Sequence, residues 1–264
     1  MVLTLTAPTN ATFSGITVHT ATIANDDGVP LVQFTAASQS NAEGVTTVTA
    51  TVQLSATSGQ KVTVPFTVGG TAVDPADYTV SASPVVIAAG FTTGTVTVTV
   101  VDDALDEVDE TVVLTLGTPT NANLGATSVH TATLADNDLP PTVQFAAASQ
   151  SNAEGVLTVT ATVQLSAASG QQVTVPFKVS GTAVNPDDYT VSASPVVIAA
   201  GATTGTVTLT VVDDAVNEAA ETVVLTLGAP INATPGATTV HTATITDNDG
   251  LPTVQFTAAS QSNA

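Results

Sequence analysis

Eleven carboxylates fall within residues 32–138, and they gather instead of spreading: Glu43, Asp74 and Asp77, Asp102 to Glu110, and Asp136 to Asp138. The strand-like run Val98, Val100, Val101 leads straight into Asp102-Asp103, and the last such run of the stretch ends at Asp136-Asn137-Asp138, so a β-sandwich can carry these loops to one pole. Two negative charges about 5 Å apart at an effective dielectric of about 20 repel by roughly 3 kcal/mol. The whole chain has 22 acids against 2 bases, Lys61 and Lys178, for a formal charge of -20. No side-chain cation can offset several such pairs, which leaves water or a metal ion. Oxygen donors in loops, with no His or Cys among them, suit a hard ion that takes about six to eight oxygens, which is Ca²⁺ in preference to Zn²⁺ or Cu²⁺, with Mg²⁺ the weaker alternative. Loop acids are commonly mere solubility features, but here eight of the eleven reappear 111 residues on, as Glu154, Asp188, Asp213, Asp214, Glu218, Glu221, Asp247 and Asp249, while Asp74, Asp106 and Asp109 become Asn185, Asn217 and Ala220. Clustering and selective retention together favour a site.

The elements that must position these acids are themselves repeated. Val-Gln-Phe starts at Val32, Val143 and Val254, and residues 32–138 differ from 143–249 at 21 of 107 positions without a gap. Two full units therefore share one fold. Residues 1–27 align at the same offset with the end of a unit, and residues 254–264 with the beginning of one, so the sequence reads as a window on a longer array. Within a unit apolar residues alternate with Thr and other polar residues over short runs: Val48, Ala50, Val52, Leu54; Val62, Val64, Phe66, Val68; Val96, Val98, Val100. Period two and β-branched residues predict half-buried strands, broken at Ser58-Gly59, Gly69-Gly70, Ala89-Gly90 and Pro119. About seven strands per unit predict an all-β chain of tandem immunoglobulin-like antiparallel β-sandwiches. The linkers after Asp138 and Asp249 are short and carry Pro140-Pro141 and Pro252, which predicts a stiff rod of units.

Composition excludes several functions. Two lysines cannot build the basic surface that nucleic acid or anionic lipid requires. The chain has 0 Cys, so disulfides, thiolate metal sites and cysteine nucleophiles are out. No apolar run is long enough to insert in a membrane and no basic, apolar leader opens the chain. His19, His130 and His241 sit mid-strand without a Ser or Cys partner and read as packed or surface strand residues without a catalytic role, and Tyr78 and Tyr189 as core anchors. Asn10-Ala-Thr12 and Asn232-Ala-Thr234 match the glycosylation triplet only weakly, because the middle unit has Asn121-Ala-Asn123. Nothing argues for an enzyme.

The order Val-Gln-Phe, an early Glu, Gly-Thr-Ala before Asp-Tyr, Asp-Asp with Glu four and seven residues after the second Asp, an aliphatic strand and a closing acidic triplet resembles the Calx-β domain. Domains of that family are immunoglobulin-like sandwiches that bind several Ca²⁺ ions at one end. They occur in sodium/calcium exchangers, in integrin β4 and in large bacterial surface or secreted proteins. The resemblance implies as ligands Glu43, Asp77, Asp102, Asp103, Glu107, Glu110, Asp136 and Asp138 in the first unit, and Glu154, Asp188, Asp213, Asp214, Glu218, Glu221, Asp247 and Asp249 in the second. Asn137 and Asn248 stand where calcium-sensing members carry a third Asp, which implies a weaker or missing ion. Taken together, the sequence predicts a calcium-stiffened shaft or fibre segment of an extracellular or cell-surface adhesin, whose partners are neighbouring repeats of the same chain or identical subunits. The alternatives are a calcium-responsive regulatory module and a passive spacer.

Overall fold

The computed structural model describes residues 1–257 and 259. Among them there is no helix, and hence none long and apolar enough to cross a membrane. An N-terminal hairpin, β1 (Val2–Thr4) with β2 (Val18–Thr20), precedes the first unit. That unit runs β3 (Leu31–Phe34), β4 (Ser38–Ala42), β5 (Thr47–Leu54), β6 (Val62–Val64), β7 (Phe66–Gly70), β8 (Tyr78–Val80), β9 (Val85–Ile87), β10 (Thr93–Val100), β11 (Glu110–Leu116), β12 (Asn123–Leu124) and β13 (Val129–Ala135). The second unit repeats each strand 111 residues on, from β14 (Thr142–Phe145) to β24 (Val240–Thr246). The start of a further repeat expected over 254–264 forms no strand as far as Thr257, and residues 258 and 260–264 lie outside the described residues.

Two sheets face each other in each unit. In the first, the orders are β12-β3-β5-β10-β8 and β4-β13-β11-β7, with β6 and β9 as a separate ribbon. The alternation read from the sequence lines the space between them: Val48, Ala50, Val52 and Leu54 of β5 point inward while Thr47, Thr49 and Gln53 stay exposed. Burying a Val or Leu side chain is worth about 1.5–3 kcal/mol, and this aliphatic layer, anchored by Phe34, Ile87, Leu114 and Tyr78, is the core. His130 and His241 are buried, each donating from Nδ1 to a main-chain carbonyl (Ala36 at 2.8 Å, Ala147 at 2.7 Å) and tilting against Phe34 or Phe145 with ring centroids 5.4 Å apart. They pack the core. Asn121 and Asn232 adopt a left-handed backbone (φ 62° and 60°), and each amide donates to a carbonyl, of Lys61 or Gln172, at 2.9 Å. The triplet at Asn232 thus belongs to a turn.

Two features depart from the sequence reading. The run Val62 to Val68 is not one strand: Pro65 has no N–H to give to a ladder, and on either side of it β6 pairs with β9 while β7 pairs with β11 in a main sheet. The sheets are also not wholly antiparallel, since β3 pairs in parallel with β12 and β4 with β13. The second pairing positions the acids. It sets Ala42 beside Ala135, so β4 and β13, the first and last strands in chain order of the four-stranded sheet, end at the same pole.

Candidate metal centre

Each acid reaches the pole on a specific strand end. Glu43 follows β4, and its amide donates to the Ala135 carbonyl at 2.9 Å, which ties it to the start of the Asp136-Asn137-Asp138 triplet. Asp77 closes the turn before β8: the Val73 amide donates to its Oδ2, and the Val101 amide to its carbonyl at 2.8 Å. Asp102 and Asp103 follow β10, and Glu110 opens β11 opposite Leu134. Gly70 lets β7 leave the sheet over β11 toward this turn. Its φ is +118°, and a Cβ there would lie 2.0 Å from the Thr111 carbonyl oxygen.

The acids converge in two triads per unit. In the first, Glu43, Asp103 and Asp138 form one and Asp77, Glu107 and Glu110 the other; in the second, Glu154, Asp247 and Asp249 form one and Asp188, Glu218 and Glu221 the other. Within each triad the carboxylate oxygens lie within 4.8 Å of one another. Asp136 is adjacent, lining a crevice of about 10 Å³ with Glu43, Asp77, Glu107 and Glu110. Asp214 lines the equivalent crevice of the second unit, and its Oδ1 accepts the Val216 amide at 2.7 Å. Asp102 and Asp213 stand apart, because the amides of Asn137 and Asn248 donate to their Oδ1 atoms at 3.0 Å. The asparagine in the middle of each triplet therefore satisfies an aspartate that the resemblance had counted as a ligand.

Mutual repulsion and burial act in the same direction on these groups. Burial, opposed in part by the Asp103 amide, and then Asp103, Asp136 and Asp138 hold the Glu43 carboxyl above its ordinary range. Glu107 is raised by burial and by Asp77, Asp103 and Asp136. Glu110 is pushed up to about 7 by burial, by a shared hydrogen bond with Asp77 and by the charges of Asp77, Glu107 and Glu43. Glu221 is raised first by its hydrogen bond with Asp188, and Glu154 first by burial. Asp138 Oδ2, Glu154 Oε1 and Asp249 Oδ2 are buried with no hydrogen-bond partner. Acceptor-only oxygens in that condition require a cation or a proton. An all-oxygen donor set in loops fits Ca²⁺.

Sequence reasoning missed three residues. Asp187 replaces Ala76 and lines the second crevice. Asn217 replaces Asp106, and its amide donates to Asp247 Oδ2 at 2.7 Å and to the Asp249 carbonyl at 3.0 Å. Asp106 itself leaves the pole and is buried against Ser169 of the second unit. The signal lies in the differences between the units, where Asp187 is a gained carboxylate and Asn217 exchanges a carboxylate for an amide donor.

A pair of β-sandwiches, each gathering carboxylates where its first and last strands end, is the architecture of a tandem cation-binding module. The Calx-beta domain family matches residues 25–138 and again 136–249, and the chain belongs to that family. Among solved structures it is similar to domain CBD12 of CALX1.2 (16% identity, 81% of this chain and 99% of that one, TM-score 0.40) and to calcium binding domain CBD12 of CALX1.1 (15% identity, 80% and 98%, TM-score 0.40). It is also similar to the Pseudomonas aeruginosa CupB2 chaperone (11% identity, 80% and 98%, TM-score 0.30). No curated protein matches the chain.

Proposed function

We propose that the protein binds Ca²⁺ at both poles and serves as a calcium-stiffened segment of a rod-like, extracellular or cell-surface array. The observation that carries this reading is the set of buried, unpartnered carboxylate oxygens on Asp138, Glu154 and Asp249, each in a triad of oxygens no more than 4.8 Å apart. Glu43, Asp103 and Asp138 would hold one ion, and Asp77, Glu107 and Glu110 another, with Asp136 between them; Asp102 contributes through Asn137. In the second unit the sets are Glu154, Asp247 and Asp249, then Asp188, Glu218 and Glu221, with Asp214, the counterpart of Asp103, beside them and Asp213 held by Asn248. Bound calcium would supply positive charge at the pole and no chemistry of turnover. An ion that binds only the folded pole adds RT ln(1 + [Ca]/Kd), about 2.7 kcal/mol at a hundredfold excess, and millimolar extracellular calcium suits such a role. Neighbouring repeats, in the same chain or in identical subunits, are the partners this reading requires.

The test is calorimetric titration of the chain with Ca²⁺, beside a variant carrying Asp103→Asn, Glu107→Gln, Asp214→Asn and Glu218→Gln. Saturable binding that the variant loses supports the reading; heats indistinguishable between the two make the acids solvated surface and the chain a passive spacer. One observation favours a second reading, a calcium-responsive regulatory module: Glu107 adjoins Asp106, which touches the second unit, so an ion there would be felt at the junction. X-ray scattering separates the two. A length unchanged across micromolar calcium fits a shaft, and a bend fits a sensor.

A further inference from the structure

The turn Ser-Gly-Gln occurs in both units, at the end of the sandwich opposite the acidic pole, and the two copies differ in what covers them. In the second unit the turn is filled by the first unit's acidic loop. Ser169 Oγ donates to the Asp106 carboxylate at 3.0 Å and lies 3.1 Å from its carbonyl oxygen, the Gly170 amide donates to that carbonyl at 3.0 Å, and Gln171 Nε2 donates to Asp106 Oδ2 at 3.4 Å and to the Glu107 carbonyl at 3.2 Å. Asp106 is 5% exposed and Ser169 2%. A Cβ at Gly170 would lie 2.6 Å from Glu107 Oε1, so any side chain there must displace the Glu107 side chain that glycine leaves in place.

In the first unit the same turn is built and open. Ser58 Oγ accepts the Gln60 amide at 3.1 Å, as Ser169 Oγ accepts that of Gln171 at 3.1 Å, and the Ser58 carbonyl accepts the Gly90 amide at 2.9 Å, as that of Ser169 accepts the Gly201 amide at 2.8 Å. Yet nothing lies within 4 Å of a Cβ placed on Gly59. Ser58, Gly59 and Gln60 border a groove of about 440 Å³, shared with Asn25, Asp27 and Gly28. These last three occupy the positions of Asp136, Asp138 and Leu139, the segment that delivers the first unit's pole to the second.

We propose that this groove is the docking surface for a further repeat of the same kind, joined through residues 1–27 and seated by an aspartate at the position of Asp106. Two observations beyond the groove point to that occupant. The hairpin β1–β2 pairs Val2 with Thr20 and Leu3 with His19, the register in which Val113 pairs with Thr131 and Leu114 with His130, so residues 1–27 retain the form of a repeat's closing strands. In a whole repeat the acidic loop leads into the first of those strands. The second pole of this chain, by contrast, is a poor plug for another copy, because the Asn217 amide is turned inward onto Asp247 and Asp249. That favours a repeat in the same polypeptide over a second molecule. The inference extends the array reading and does not rest on bound calcium.

Hydrogen–deuterium exchange tests it on the chain as it stands and on the chain lengthened at its start by its own residues 32–111, which makes residues 1–27 the end of a complete repeat; the added copy carries Thr57→Ser, so that its own turn peptide differs in mass from 56–62 and from 167–173. Peptides 56–62 and 167–173 have distinct masses through Thr57 and Lys61 against Ala168 and Gln172. In the original chain 167–173 is protected and 56–62 is open. In the lengthened chain 56–62 slows by roughly tenfold or more, and Gly59→Val, which meets nothing in its own unit, restores fast exchange. Equal exchange of 56–62 in both chains, or slowing that survives Gly59→Val, overturns the proposal. So does slowing in the original chain on raising its concentration, which would make the occupant a second copy. Runs in chelator and in millimolar calcium read docking separately from ion binding.

Discussion

Removing one carboxylate should stabilise the protein without calcium and leave its stability nearly unchanged with calcium. Asp77, Glu107 and Glu110 lie within 4.8 Å of one another, so at an effective dielectric of about 20 each ionised pair repels by about 3 kcal/mol. Glu107→Gln abolishes two of the three pairs and keeps the side-chain shape, and the Glu107 carbonyl that meets Gln171 is untouched. The triad is half-buried and water screens much of the repulsion, which leaves a gain of about 2 kcal/mol for the ion-free protein. For a domain of this size that raises the melting temperature of the first unit by about 10 °C. With calcium the same variant lacks an ion ligand, and a tenfold to hundredfold loss of affinity removes about 1.4 to 2.7 kcal/mol, which offsets the gain and leaves a net change within about 0.7 kcal/mol of zero. Scanning calorimetry at pH 8, in chelator and in millimolar calcium, reads both values, with the second unit's transition as internal reference. Destabilisation in both media would make Glu107 a structural residue, and no change in either would make the triad solvated surface; each result refutes the reasoning.

Glu110, Glu43 and Glu107 have folded-state pKa values above their ordinary range, so the folded chain binds more protons than the unfolded one between about pH 4.5 and the folded value, about 7 for Glu110. Ion-free stability is therefore full below that window and falls as pH rises through it, which urea titrations from pH 5 to 8 in chelator will follow. Calcium binding at pH 7 should release about half a proton from Glu110 alone, visible as a buffer-dependent heat in calorimetry. Gly70→Ala or Gly181→Ala should destabilise its unit by several kcal/mol, because the new Cβ would sit 2.0 Å from a carbonyl oxygen at positive φ, and denaturant unfolding will measure the loss.

Alternation made the core strands legible: Val48 to Leu54 and Val96 to Val100 face inward as written. Ser38–Ala42 was not legible, since a polar edge strand has no apolar face to betray it, and side-chain period is the same whether a neighbour runs parallel or antiparallel. That is why the pairing of β4 with β13, on which the position of Glu43 depends, escaped the sequence. The grouping of the acids was legible because they fall at strand ends, which a sandwich brings to one pole. Their division into triads was not, because it turns on hydrogen bonds from Asn137, Asn248 and Asn217 that depend on loop conformation.

The strand-for-strand correspondence of the two units also poses a problem of self-recognition during folding. β10 meets its proper partner β5 across about 38 intervening residues, and the equivalent strand of the wrong unit, Thr158–Leu165, across about 57. Loop closure separates these choices by only about 0.4 kcal/mol. Side chains discriminate little, since Thr47–Leu54 and Thr158–Leu165 have the same sequence. A chain released from denaturant all at once is therefore prone to strand exchange between units, a hazard of tandem repeats. Synthesis from the N-terminus avoids it by letting the first sandwich close before its twin has emerged.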